Sequence, residues 1–319
     1  MFPAALGRDE VYEFGFELGV CQWAERHWPA EAGIVARQLG TEHRRWDTVV
    51  IEADPEALAA RAWFGDRRLD GDLLRVVRHA PAEWAWYRDA LPEPSFPWRY
   101  VREAVHRAAD RGLIERRRRN GRIELRQIRP YPDWVEQIVA IENKPDLDAS
   151  AAKDLRPQLE RDVALGLADE VWVATRATDD AVAPVLLEDL PVQAGVLTVA
   201  AGRGADRVDR TWRPRRLAVG EPGTRILDRP EGGDYDASAC RFEYATPDWK
   251  ARKRREIAER AYERGWRSYV ESMRPDCGSC PEFEPEPPAW RTRDWPIEGG
   301  PGAGIKRVLE RQRDRFRPD

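Results

Sequence analysis

The stretch DWVEQIVAIENKP, residues 133–145, decides the fold, and RRWDTVVIEA, residues 44–53, is read against it. In the first, Ile138-Val139-Ala140-Ile141 is a short apolar run in a stretch that stops at Pro145, which predicts a strand. In the second, Thr48-Val49-Val50-Ile51 is rich in β-branched residues and stops at Asp54-Pro55, so it also predicts a strand. Each carries charge where a buried strand should not. Asp47 is embedded beside one apolar run, and Glu142-Asn143-Lys144 closes the other. Side chains alternate faces along a strand, so Glu142 and Lys144 point the same way. Ionised groups at the mouth of apolar strands cost free energy unless they are paired or metal-bound. Two carboxylates on adjacent strands would form an oxygen site suited to Mg²⁺ or Mn²⁺. A lysine beside that ion could position an attacking water and stabilise developing phosphate charge.

Outward from these strands, residues 11–28 predict an amphipathic helix with Phe14, Leu18 and Cys21 on one side. Residues 33–40 predict a strand, 151–168 a helix with Pro157 as a candidate for its true start, and 170–175 and 195–200 two more strands. The order is helix, strand, strand, insertion, strand, helix, strand, which is a mixed α/β core. The chain divides at this level into 1–65, an insertion at 66–130, a second core part at 131–201 and a C-terminal extension at 202–319.

The insertion has its own pattern. Three helical segments end with PWRYVREAVHRAADRGL, where Pro97 opens a helix and Gly112 suits its C-terminal cap. Asn120-Gly121 then joins two strands, because a type I′ turn needs positive φ at both central residues. Three helices followed by a basic hairpin resemble a winged-helix domain. Residues 111–129 hold eight arginines against two glutamates. Arg116, Arg117, Arg118, Arg119 and Arg122 on an exposed hairpin would neutralise phosphates and dock on DNA without reading its sequence. A solvated surface in an arginine-rich protein is the plainer account of the same run.

Asp47, a long interval, then Glu142-x-Lys144 on strands, with a helix before and after, is similar to the PD-(D/E)xK nuclease superfamily. The resemblance implies a restriction-endonuclease-like αβββαβ core carrying an inserted winged helix. It implies Asp47 and Glu142 as Mg²⁺ or Mn²⁺ ligands, the Asn143 carbonyl as a further ligand, and Lys144 as the catalytic lysine. Glu17 stands where exonuclease-like members place an additional acidic residue. Gln158 matches the glutamine of the RecB-like branch, whereas Asp162 stands where that branch has a tyrosine. Taken alone, Glu-x-Lys is also explained by a salt-bridged strand end. As a whole the chain is similar to a haloarchaeal family that brings no activity with it.

Cys277-Gly278-Ser279-Cys280 supplies two thiols in a tight turn, with Cys240 and Cys21 far upstream. One N-terminal and three C-terminal cysteines resemble the iron–sulfur staple of some RecB-like nucleases, in which a [4Fe–4S] cluster ties the domain ends together. A Cys₄ zinc site follows the same thiolate logic. Cys21 as an ordinary core residue is the remaining reading.

Composition sets the outer limits. Lys+Arg 53 against Asp+Glu 57 gives a net charge of -4, which argues against a wholesale basic coat but not against local patches. Only five lysines occur, so Lys144 at a strand end is conspicuous. No basic-then-apolar leader opens the chain and no apolar stretch approaches a membrane span, so the expectation is a cytoplasmic protein without membrane contact. Phosphate-binding glycine motifs are missing from the places where strand–helix turns would need them. The function expected is a metal-dependent DNA nuclease. The other is a non-catalytic DNA-binding or regulatory protein on the same scaffold, with a structural metal on the cysteines.

Overall fold

In the computed structural model, residues 8–41, 44–176, 189–200, 208–228 and 241–265 are described. The apolar runs become a six-stranded mixed sheet. Helix α1 (Arg8–His27) leads into β1 (Ala32–Gly40) and β2 (Arg45–Ala53). After the insertion come β6 (Val135–Asn143), α6 (Ala149–Leu165), β7 (Glu170–Arg176), β8 (Ala194–Val199) and β9 (Val208–Trp212). The spatial order is β1-β2-β6-β7-β8-β9. The pairs β1/β2 and β2/β6 are antiparallel, β6/β7 and β7/β8 parallel, and β8/β9 antiparallel. The α6 crossover joins the parallel pair β6 and β7, as parallel strands require.

Both faces of β2 and β6 are covered. Val50, Val139 and Ile141 pack with Phe16, Val20 and Cys21 of α1, while Val49, Ile51, Ile138 and Ala140 pack with Leu155 and Leu159 of α6. The buried stripe of α1 is therefore Phe16, Val20, Cys21, Trp23 and Ala24; Phe14 lies at its margin under the Arg37 guanidinium, 4.8 Å from the ring centre. Helix α6 begins earlier than Pro157 suggests. Asp148 caps it by accepting from the Ala151 N–H at 2.7 Å, and Pro157 is accommodated inside.

The Asp54-Pro55 pair that stops β2 also starts a helix, α2 (Pro55–Ala62), with Asp54 as cap and Pro55 in the first turn. The insertion then runs α3 (Gly71–His79), β3 (Ala85–Trp86), α4 (Tyr87–Ala90), α5 (Trp98–Asp110), β4 (Ile114–Arg119) and β5 (Arg122–Gln127). Leu73, Val76, Val77, Val101, Val105 and Leu125 belong to a core of its own. Asn120 and Gly121 sit at φ 49° and 75°, the positive values a type I′ turn needs. In the second of the three helical segments read from the sequence, residues 84–91, Ala85 and Trp86 form β3 and pair with β5, and one helical turn, α4, follows.

Beyond the core sheet, β10 (Gly223–Asp228) pairs with β11 (Arg241–Ala245), and α7 (Pro247–Arg264) returns to the core. The sequence pattern extends α7 to residue 273, and residues 266–273 lie outside the described part. Ile257, Ala258 and Ala261 join the α6-side core. Glu259 forks onto Arg61 of α2, with the Nε contact at 2.7 Å and side-chain exposures of 1% and 0%. It also accepts from the Tyr131 hydroxyl and the Leu69 N–H. This one carboxylate ties α7 to α2, to the start of the insertion and to Tyr131 just past its end. Among the described residues no helix is long and apolar enough to cross a membrane.

Removing one member of a buried pair strands the other's charge, which typically costs about 3–5 kcal/mol. Glu259→Ala is expected to lose that much in urea unfolding, whereas the apolar double substitution Arg61→Met/Glu259→Leu recovers most of it.

Candidate active site

Asp47 and Glu142 reach one site because β2 and β6 are in register. Thr48 pairs with Ile141, so Asp47 stands opposite Glu142, one step further along each strand. Alternation puts both on the α6 face, next to Val49 and Ala140. The Asp47 carboxylate accepts from the Asn143 N–H at 2.9 Å and from the Gln38 amide at 3.0 Å. Glu142 is buried and accepts from the Gln158 amide on α6 at 2.7 Å and from Arg44.

Gln38 does unusual work here. Its φ of 52° is a left-handed conformation uncommon for a residue with a side chain, and it interrupts the regular run of β1. The amide thereby spans two carboxylates, donating to Asp47 and to Glu17 of α1 at 2.7 Å. Glu17 is buried and paired with Arg37. The structure so links Glu17, Asp47, Glu142 and Gln158 through Gln38 and the β2/β6 register.

Lys144 lies just past β6, yet its N–H still donates to the Ala174 carbonyl at 2.8 Å, continuing the ladder with β7. Continued alternation from Glu142 would place Lys144 on the same face. Among the described residues its ammonium has no ion pair. The Asn143 side chain turns to the α1 face, where it donates to Thr48 Oγ1 at 3.0 Å.

Two further participants have roles that the sequence does not show. Arg44 sits at the β1–β2 turn and Asp162 on α6. The Arg44 guanidinium forks onto the Asp162 carboxylate at 2.8 and 2.7 Å and also meets Glu142. Asp162, where a tyrosine of the RecB-like pattern would stand, is 2% exposed. The turn itself is tight: the Thr41 N–H donates to the Arg44 carbonyl at 2.6 Å, and a Cβ on Gly40 would lie 2.2 Å from that oxygen.

Electrostatics follow from crowding. Burial first, and the neighbouring Asp47 charge second, push the Glu142 carboxyl up to about 8, with Arg44 only partly offsetting them. Glu17 is raised too, chiefly by burial. A divalent cation would relieve this repulsion. Each carboxylate oxygen of Asp47 and Glu142 has one protein donor and so keeps acceptor capacity. Two hard oxygen donors, with water completing the shell, fit Mg²⁺ or Mn²⁺. Among the described residues no group of three or more His, Cys, Asp or Glu side chains is placed to hold a metal ion.

Cys21 does not face outward. It is fully buried, shares a hydrogen bond with Thr48 Oγ1 at 3.3 Å, and burial pushes its thiol up to about 12. Metal ligation needs a thiolate, which this setting opposes. Cys240, Cys277 and Cys280 lie outside the described residues.

The hairpin arginines separate by face. Arg117 pairs with Glu124 at 2.6 Å and Arg126 with Glu115 at 2.6 Å, both stacking on Trp84 at 4.3 and 4.9 Å from its ring centre. Arg122, at the turn, stacks on Trp86 at 4.7 Å. On that side glutamates neutralise Arg117 and Arg126, so the hairpin arginines are not equivalent. Arg116 and Arg118 lie on the other side of β4, lining a groove of about 970 Å³ with Arg99, Arg102, Glu103 and His106 of α5, and Arg117 also reaches its edge. Arg119 is exposed near the tip.

The profile of a protein family described as "Family of unknown function (DUF5787)" matches residues 34–289. No curated protein and no solved structure matches the chain.

Two outcomes follow. A carboxyl raised from its ordinary value contributes stability at low pH that is lost as pH climbs through about 8. Without divalent cations, the melting temperature of Glu142→Gln should therefore gain on wild type between pH 5 and 9. In native protein at pH 8, Cys21 should resist iodoacetamide over hours and become alkylated only on unfolding, as read by peptide mapping.

Proposed function

Taking as premise that the chain belongs to the DUF5787 family, we propose that it is a metal-dependent nuclease hydrolysing DNA phosphodiesters on a PD-(D/E)xK-type scaffold. The observation that carries this reading is the opposition of Asp47 and Glu142 on one face of adjacent strands, with Gln158 orienting Glu142. The order α1-β1-β2-β6-α6-β7, antiparallel, antiparallel, parallel, is similar to a restriction-endonuclease-like core. The inserted helices and the β3-β5-β4 sheet support the winged-helix likeness.

Asp47 and Glu142 would hold Mg²⁺ or Mn²⁺, which supplies charge stabilisation and a more acidic bound water. Gln38 and the Asn143 N–H hold Asp47 in place, and Gln158 does the same for Glu142. Lys144, without an ion pair among the described residues, is available to orient the attacking water and stabilise developing phosphate charge. Glu17, sharing the Gln38 amide, steadies the Asp47 side of the site. Arg116 and Arg118 in the α5 groove, with Arg119 at the tip, would engage duplex phosphates.

Plasmid and oligonucleotide cleavage with Mg²⁺ or Mn²⁺ tests the reading. Lys144→Ala and Glu142→Gln should each lose at least about 10²-fold in rate; full activity in both sinks the assignment. DNA binding without any cleavage in wild type would instead favour a regulatory protein on this scaffold. For the insertion, Arg116→Ala/Arg118→Ala should flatten the log–log salt slope of DNA binding by about 2, roughly 0.9 per phosphate contact. Arg117→Ala should change it little.

A further inference from the structure

We propose that Arg44 is a phosphate-binding residue held ready by Asp162, a role that rests on the nuclease reading for its substrate but on its own geometry for its existence. Three features set this arginine apart from the many on the surface. Its guanidinium forks onto Asp162 through Nε and Nη2 at 2.8 and 2.7 Å, a two-point contact that fixes its plane. Asp162 is almost wholly buried on α6, so its carboxylate needs that counter-charge and will not release it cheaply. The backbone is held as well, by the Thr41–Arg44 hydrogen bond and the close approach of Gly40.

The rest of the guanidinium faces the acidic site. Nη2 also reaches Glu142, and Nη1 donates to the Arg45 carbonyl, which leaves a second Nη1 hydrogen uncommitted. Because Asp162 alone can keep the fork in place, the contact to Glu142 is the exchangeable one. A phosphate arriving beside Glu142 would find a planar cation already oriented, the geometry that suits arginine to phosphate oxygens. Asp162 is then a positioning residue. It stands where the RecB-like pattern has a tyrosine and serves a different purpose, holding a cation.

Calorimetric titration of inorganic phosphate into the full-length protein with Mn²⁺ tests the assignment, alongside kcat and KM on an oligonucleotide. Wild type should bind phosphate. Arg44→Gln should still bind Mn²⁺, since a competitor for Glu142 has gone, while losing phosphate affinity at least 10-fold and kcat on the order of 10²-fold. Arg44→Lys keeps the charge without the fork and guards against a folding defect; it should fold, as judged by circular dichroism, and bind phosphate several-fold more weakly. Asp162→Asn should follow Arg44→Gln in phosphate affinity. Arg44-dependent phosphate binding without any cleavage would retain this assignment and remove the nuclease reading. Cleavage that persists at wild-type kcat in Arg44→Gln, or phosphate affinity unchanged in Arg44→Lys and Asp162→Asn, overturns the assignment and leaves the nuclease reading standing. Absence of phosphate binding in wild type overturns it as well.

Discussion

Everything at the site depends on the pairing of β2 with β6. Asp47 and Glu142 are 95 positions apart in the chain, yet antiparallel register sets them face to face. A slip of one residue would turn one of them to the α1 side and bury a carboxylate among Val20, Cys21 and Trp172. The pairing is secured by the apolar residues further along the same strands, which must satisfy α1 on one face and α6 on the other. Packing thus fixes the chemistry: Val49, Val50 and Ile51 cannot shift without undoing two cores, and so the two carboxylates cannot part. The cost is visible in Glu142, whose proton is hard to remove because burial and a like charge act together.

The parts that read directly from the chain are those in which one short stretch carries its own signal. β2 and β6 are β-branched runs with proline stops, the hairpin has Asn-Gly, and α5 has its proline and glycine ends. Asp47 and Glu142 stand out because charge is costly beside such runs. What stayed hidden depends on partners far apart. Arg44 is one arginine among many until its fork onto Asp162, 118 positions away, is seen. Gln38 matters through a backbone angle that nothing in its neighbourhood announces. Helix α2 was masked because Asp54-Pro55 punctuates a strand end and a helix start equally well. Glu259 and Arg61, 198 positions apart, are each unremarkable alone.

Charge shows the same dependence on context. The run Arg116–Arg119 is one block in the sequence, but a strand alternates its faces and the block divides. Arg117 meets a glutamate and a tryptophan, and its stacked, paired guanidinium has little left to offer a ligand. Arg116 and Arg118 face the α5 groove with other arginines. A net charge of -4 for the chain and a cationic groove coexist, because what a ligand meets is the local field and not the sum.

The insertion leaves the core after β2 and returns into β6, and these strands run in opposite directions. Its point of attachment is therefore at the pole of the sheet away from the carboxylates. From Asp47 to Ala53 the strand advances about 20 Å, at roughly 3.3 Å per residue. The two paired strands hold that distance fixed, so a change in the insertion can reach the acidic pair only by moving strands that two cores already pin.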